Sequence, residues 1–501
     1  MISRFLCLAA ALISAAPVHA ADDVLRVGIG FLSFRRGDPY QGITLPSVMA
    51  HQAVYDTLTS IGEKGEVLPA LAVTWKAENP KTWTFTLRQG VSFSNGEPLT
   101  ADALVVSAVH MATQKGRAET IGSALYQVDR AERVDDLTVR VHLSEADPLF
   151  PLHATAWRVP APNAFTNLGS DGFRDNPIGT GPFVVKSWTE ARVIMTANPN
   201  SWRAPKVSGL EIREIPEESS RLQALVSGAV DYVMGLSPEH DGPLREVGAK
   251  LVTRLTPTVS FLAVNTETVP NSPLKDPRVR LALNLAVNRQ AIIDQVLDGS
   301  TDPAAQLTFP GAFGYDGSLE PYPYDPVKAR ELLAAAGHKD GLSLQVGVAV
   351  GARASDALYY QQIASDLQKV GVNLELLSRP QQTQMQDVFF GKLTVDMFTM
   401  FARGFDALQD YRHRTCGGLT QGRAAFHCDP RVVPALKAAQ AENNAAKREA
   451  LYRQVAKLEH ENPPGIMLWQ AVEFDGVARG ITGYAPVFED VRLHLIEKKP
   501  K

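Results

Sequence analysis

The sequence predicts an α/β protein of more than one domain, and three observations carry that expectation. Leu342 to Val350 reads as a strand, Asp356 to Val370 as a helix closed by Gly371, and Val372 to Leu377 as a second strand. Such a β-α-β unit implies a parallel sheet. Helices with marked starts at Asp276-Pro277 and Asp325-Pro326 share the chain with runs of period-two alternation such as Thr82 to Leu87 and Thr138 to Leu143. The 501 residues, 45% apolar and 21% charged, supply material for two to four hydrophobic cores.

At the N-terminus, Arg4 precedes the apolar block Phe5 to Ala16, followed by Pro17 and Val-His-Ala-Ala. That is the pattern of an export signal, with cleavage expected after Ala20; a buried N-terminal helix is the alternative. Cys7 lies inside the apolar block, too near the start for a lipoprotein cysteine, so the product is expected to be exported and not lipid-anchored. No later run reaches the ~18 apolar residues of a bilayer-spanning helix. A net charge of −4 gives no ground for a nucleic acid or an anionic membrane as partner.

Taken in order, Val24 to Phe31 reads as a first strand. Its Gly28-x-Gly30 lacks the third glycine of a dinucleotide fingerprint. Leu45 to Leu58 has helical spacing. Leu68 to Leu143 is rich in strands, interrupted by a helix that Thr100 is placed to cap. Phe183 to Trp188, Val193 to Thr196, Leu210 to Ile215, Asp231 to Met234 and Pro257 to Asn265 are further strands, with a short helix from Ser219 to Val226. One long helix is expected from Asp276 to Val296, stopped by Gly299, and another from Val327 to Ala336, stopped by Gly337. After the β-α-β unit come the strand at Met397, helices from Pro434 and from Lys447 to His460, and the strand Gly465 to Trp469.

The stretch from Asp396 to Asp429 stands out as a candidate site. An apolar run, Met397 to Ala402, breaks into a polar loop carrying Arg403, Asp406, Asp410, Arg412 and Arg414. Charged side chains delivered at a strand end are a common way to hold a polar ligand in a cleft. The loop ends in Cys416 and Cys428, the only cysteines left once the signal is removed. In an oxidising compartment they are expected to pair. In the chain-entropy model closing so short a loop stabilises by roughly 3 kcal/mol. His413 and His427 flank them, so a zinc site is the alternative, although the spacings are unlike finger or ribbon patterns. Neither a metal nor another cofactor is expected. Marks of catalysis are missing: there is no G-x-S-x-G elbow, H-E-x-x-H pair or Walker A run.

Five blocks, in order, carry a family resemblance: residues 54–107 (beginning VYDTLTSIG), 176–202 (NPIGTGPFVVKSW onward), 261–296 (FLAVNTETVP onward), YDPVKARELLAAAG and IASDLQKVGVNLELL. Over nearly its whole mature length the chain resembles the extracytoplasmic solute-binding proteins of ABC transporters that serve dipeptides, oligopeptides and nickel. The resemblance implies a two-lobed periplasmic binding protein of type II, cluster C, with a hinge between lobes and an extra strand-rich subdomain on lobe I. By that analogy lobe I is 21–53, 177–266 and 478–501, the subdomain is 54–176 and lobe II is 267–477, with crossings at Ala263–Asn265 and Phe474–Ala478. It also implies a monomer that closes over a small-molecule or peptide ligand and delivers it to an ABC permease in the inner membrane.

In dipeptide binders of this family an aspartate after the strand of the Asp396 stretch takes the α-ammonium. An arginine after the first strand of the β-α-β unit takes the carboxylate. Asp406 and Arg353 are the nearest matches, with Asp406 one residue out of register and Arg403 where an aromatic residue would be close. That cation suggests a carboxylate-bearing solute; the bland reading is that Arg403 and Asp406 pair with each other. Arg158 lies where nickel-type members set an arginine against a chelator's carboxylates. Tyr40 and Phe426 are candidate apolar walls, otherwise core. Small peptides are the expected solute, with a nickel chelate, an opine or a sugar derivative as the alternative. A periplasmic receptor or chaperone-like binder, or a hydrolase, would be of another class.

Overall fold

The computed structural model describes residues 23–32, 36–42, 45–46, 48–349, 355–379, 383–384, 387–388, 392–407 and 426–499. The expected signal segment, Arg353 and Cys416 lie outside them. The chain opens with β1 (Val24–Ile29) and then builds a strand-rich subdomain. This holds a hairpin of β2 (Thr59–Ile61) and β3 (Val67–Pro69). It also holds an antiparallel sheet, ordered β4-β5-β7-β6, of β4 (Ala72–Asn79), β5 (Thr82–Leu87), β6 (Val128–Arg133) and β7 (Thr138–Leu143). The helix α1 (Ala101–Ala112) packs on β6, and the single turn α2 (Phe150–His153) leads out of the subdomain. The chain rejoins the main sheet through β8 (Phe183–Trp188), β9 (Arg192–Ala197), β10 (Gly209–Glu214) and β11 (Tyr232–Leu236). The long β12 (Lys250–Val264) then leads to α3 (Pro277–Ala286), α4 (Arg289–Val296) and α5 (Pro326–Ala335). The β-α-β unit follows as β13 (Leu342–Val348), α6 (Asp356–Gln368) and β14 (Val372–Ser378), and then come β15 (Met397–Arg403), α7 (Ala445–Glu461) and β16 (Gly465–Val477).

One ten-stranded sheet, ordered β14-β13-β15-β12-β16-β11-β1-β10-β9-β8, passes through both halves of the molecule. β13 and β14 are parallel, as the β-α-β reading requires, and β13 is parallel to β15. β12 and β16 are antiparallel and carry the sheet from one half to the other. Residues Lys250–Leu255 pair with Val472–Val477, whose far side pairs with β11; residues Thr258–Val264 take β15 on one side, and Val259–Ala263 keep β16, from Gln470 to Gly465, on the other. The β12–β16 register shifts between Leu255 and Val259. Pro257, which has no N–H to give a ladder, sits in that gap. The outer neighbour of the β12–β16 pair therefore changes from β11 to β15 around Thr256–Thr258.

Packing follows the same division. One core joins Leu25, Leu210 and Tyr232 of the main sheet to Phe85, Leu104 and Val139 of the subdomain and Val491 of the tail, so subdomain and first half share an interior. Two of the cores of the second half lie on opposite faces of its sheet. Leu262, Val264, Ile466 and Leu468 point into one, and Phe261, Ala263 and Met467 into the other. Strands buried on both faces read as nearly continuous apolar runs, which is why these were legible in the sequence.

Several element boundaries differ from expectation. The single helix from Asp276 to Val296 is two helices, because the Asn288 side chain accepts a bond from the Ala291 N–H and caps a new start. Asp276 caps the first of them through the Arg278 N–H at 2.8 Å, as expected. β12 begins at Lys250 and β16 runs on to Val477, each well beyond the apolar run read as a strand.

Candidate functional site

The end of β15 meets the first half. Arg403 closes the β12–β15 ladder opposite Thr258, and Gly404 follows at φ +136°, a turn that favours glycine. Beyond it a short parallel bridge fixes the backbone of Asp406: the Phe313 N–H donates to Phe405 O at 2.7 Å and the Ala407 N–H to Phe313 O at 3.2 Å. This leaves the Asp406 carboxylate, only 1% exposed, facing His153 at the end of α2 in the subdomain. His153 Nε2 lies 3.3 Å from one carboxylate oxygen, and the guanidinium of Arg448 on α7 lies 3.5 Å from the same oxygen. Tyr452, one turn on from Arg448, accepts from Arg448 Nε at 2.9 Å and bonds Asp406 through its hydroxyl.

On its other side His153 Nδ1 lies 2.6 Å from Asp147 Oδ2, which also accepts from Gln127 at 2.8 Å. Burial opposes a charge on His153, but the two carboxylates outweigh it and hold the imidazole protonated, its pKa pushed up to about 10. Burial likewise pushes Asp147 up, yet His153 brings it below its ordinary value. For Arg448 burial lowers, and Tyr452 and Asp406 more than restore, its affinity for its proton.

A second bridge joins the halves a few residues away: Arg403 forms an ion pair with Glu489 of the C-terminal tail. Phe488 sets its ring edge-on against Phe405 and Phe309 of the second half, at centroid distances of 5.0 and 5.6 Å. The β2–β3 turn completes the contact. Gly65, at φ +78°, approaches so closely that a Cβ there would lie 2.2 Å from Gly311 O. Beside the crossing strands Leu255, Val259, Thr301, Gln306, Tyr315 and Gln470 line an open pocket of about 280 Å³, formed by residues of the second half and the crossing strands.

The expected site residues divide. Asp406 and Arg403 lie at the junction, but they do not pair with each other; each reaches a partner in the opposite half. Arg158 is buried, and its guanidinium donates to the carbonyls of Pro39 at 3.0 Å, Gln41 at 2.7 Å and Gly42. Burial lowers its pKa to about 10, against the pull of Tyr55 and Asp38. Tyr40 has no exposed surface; it stacks on His110 at 4.5 Å and donates its hydroxyl to Ser107 at 2.8 Å. Phe426 packs edge-on against Phe398 at 5.0 Å. Both are interior residues in this conformation. Among the described residues no group of three or more His, Cys, Asp or Glu side chains is arranged to hold a metal. No helix among them is long and apolar enough to cross a membrane.

His153, Arg448, Glu489 and Phe488 escaped the sequence reading. Arg448 carried a usable signal, since it shares a helix face with Tyr452 and Val455, both fully buried. A cation on the apolar face of a helix needs a buried partner. His153 and Glu489 carried none, because their partners are remote in sequence.

Comparison with known proteins agrees with this architecture. The family model described as bacterial extracellular solute-binding proteins, family 5, middle region, matches residues 66–415. A glutathione-binding protein, GsiB, of Salmonella typhimurium is 26% identical over 490 residues, covering 94% of this chain and 93% of the relative. Di/tripeptide-binding protein 2 of Pseudomonas aeruginosa is 26% identical over 448 residues, covering 83% and 84%. Among solved structures, DppA of Helicobacter pylori in complex with the peptide STSA superposes with a TM-score of 0.78 at 22% identity, covering 95% of this chain and 98% of its own. NikZ of Campylobacter jejuni with Ni(L-His) gives 0.80 at 21%, covering 95% and 99%. At these identities the structural likeness is one of fold.

Proposed function

The chain belongs to the bacterial extracellular solute-binding proteins of family 5, which are binding proteins and not enzymes, and from that premise we propose that it captures a small peptide by lobe closure and delivers it to an ABC importer. The observation that carries this reading is the junction itself. Among the described residues two strands, β12 and β16, carry the sheet between the halves past a register break, while charged side chains at the end of β15 meet counter-charges of the opposite half. A hinge of two strands with a polar seam beside it can open and close around a polar guest, and a guest touching both halves favours the closed state. The relatives named for glutathione and for di- and tripeptides support a peptide.

In this reading the protein is exported, cleaved after Ala20, periplasmic, monomeric and not lipid-anchored, with Cys416 and Cys428 joined. The lobes follow the division 21–53, 177–266 and 478–501 against 267–477, with 54–176 as the subdomain. Arg353 and Arg403 are the cations proposed to meet a peptide's carboxylates, and Arg158 shapes the loop at Pro39–Gly42 by holding its carbonyls.

Mass spectrometry of solute carried by the natively purified protein, followed by calorimetric titration with di- and tripeptides including glutathione, tests the assignment. A bound peptide is expected. A nickel chelate, an opine or a sugar in its place would move the chain to another branch of solute chemistry.

A further inference from the structure

Along β16 the outer neighbour changes near the register break. Residues Phe474–Val477 pair with β11, whereas Leu468–Gln470 are flanked by the loop at 301–304. The Ala304 N–H donates to Leu468 O at 2.9 Å, the Thr301 hydroxyl donates to Gln470 O at 2.7 Å, and a bridge joins Pro303 to Trp469. Gln470 in turn donates its side-chain amide to Thr256 O at 2.9 Å, across the break. The open pocket of about 280 Å³ lies against this change of neighbour. Leu255 from one side of the break, Val259 from the other, and Leu319 give it apolar walls. Val259 shares a face of the sheet with its ladder partner Ala402, so Arg403, paired with Thr258, belongs to the opposite face. Neither Arg403 nor Asp406 lines the pocket.

Three polar groups on the lining are left without a protein partner. Thr308 is only 3% exposed, yet its hydroxyl has no hydrogen-bond partner among the described residues. The Tyr315 hydroxyl and the exposed Asp302 carboxylate have none either. A buried hydroxyl is costly to leave unsatisfied, so a polar guest in the pocket is favoured. The surroundings are negative. Burial, and then the charges of Asp316, Glu320 and Asp302, push the Tyr315 hydroxyl up. Lys457, 3.7 Å from Asp316, answers that carboxylate without reaching the pocket lining. Among the described residues no lysine, arginine or histidine lines the pocket.

We propose that this pocket is a second ligand site, beside the hinge, which takes a small organic ammonium ion. Asp302 accepts the ammonium hydrogens, the hydroxyl oxygens of Tyr315 and Thr308 accept others, and Leu255, Val259 and Leu319 cover an apolar body. The volume is at the small end for ligand pockets, so the guest is well below drug size. A guest seated against both Leu255 and Val259 spans the register break. Its affinity therefore depends on the hinge angle, and it favours the conformation that gives the pocket this shape. Only that coupling rests on the proposed closure of the lobes; the site stands without it.

Three probes of one shape and different charge test the site on the full mature chain: cyclohexylammonium, cyclohexanol and cyclohexanecarboxylate, titrated at neutral pH by ligand-observed NMR. Cyclohexylammonium is expected to bind, cyclohexanol about tenfold more weakly, and the carboxylate not measurably. Asp302→Asn is expected to weaken the ammonium about tenfold and to leave cyclohexanol unchanged. Leu255→Trp, at a position 42% exposed, sets a ring in the pocket and is expected to abolish binding of both. Thermal midpoints report whether each variant is folded, and if Leu255→Trp is not, Asp302→Asn decides alone.

Equal binding of the three probes, no binding of any, or an ammonium affinity unchanged by Asp302→Asn overturns the site. So does displacement of cyclohexylammonium by trialanine, since the probe would then occupy the peptide seam. Failure of the wild type to bind any peptide would instead sink the solute assignment and leave these titrations standing.

Discussion

Arg254 and Asp475 meet inside the two crossing strands, the guanidinium Nε 3.0 Å from the carboxylate, with side chains 3% and 0% exposed. They sit diagonally, since Arg254 stands opposite Glu473 and Asp475 opposite Val252. Tyr232 and Tyr484 donate their hydroxyls to the same carboxylate at 3.1 and 2.6 Å, and Arg254 also donates to Phe488 O at 3.2 Å. The pair thus ties β12, β16, β11 and the C-terminal tail together beside the hinge. Removing one partner strands a buried charge. Arg254→Met or Asp475→Leu alone is expected to destabilise by about 3–5 kcal/mol in urea unfolding, and the double variant by far less. Equal losses in all three would show that packing, not charge, sets the cost.

A glycine stands at a close approach between the halves. At Gly65 a side chain would need both a left-handed backbone and the space held by Gly311 O, 2.2 Å from the added Cβ. Gly65→Ala is expected to keep the halves apart while leaving each folded, with solute affinity at least tenfold weaker and a larger radius of gyration. Backbone strain of roughly 1–2 kcal/mol accompanies it. Unchanged affinity would mean that the β2–β3 turn does not bear on the closed state.

His153 links stability to pH. Its pKa in the folded protein, about 10, lies above the ordinary 6.5. Its stabilisation is therefore complete below pH 6.5 and disappears as pH rises through 10, an effect on the order of a few kcal/mol. Urea midpoints measured from pH 6 to 10 should fall for wild type and fall less for His153→Gln. Parallel curves would mean that the imidazole is not held charged by Asp147 and Asp406.

The cysteines give a redox expectation. If Cys416 and Cys428 are joined, thiol titration of the unfolded, unreduced mature protein finds no free thiol, and reduction lowers stability by roughly 3 kcal/mol. Two reactive thiols would refute the pairing.

What the sequence by itself determined were the elements whose signals are local. The β-α-β unit of β13, α6 and β14 was legible from alternation and glycine stops. The starts at Asp276 and Asp325 were legible because aspartate caps and proline at the first helical position act within a few residues. The order of such blocks was enough to indicate a two-lobed binding protein. The positions of Asp406 and Arg403 at a strand end were also readable, but their partners were not.

Only the tertiary structure decided those partners. It also extended β12 and β16 through Arg254 and Asp475, which are 221 residues apart. Charged residues argue against a buried strand until the opposite charge arrives beside them, and that arrival is a property of the folded sheet. The same reason hid His153: a histidine six residues past Asp147 carries no local mark, and it becomes a cation at the seam only when the second half brings Asp406 to it.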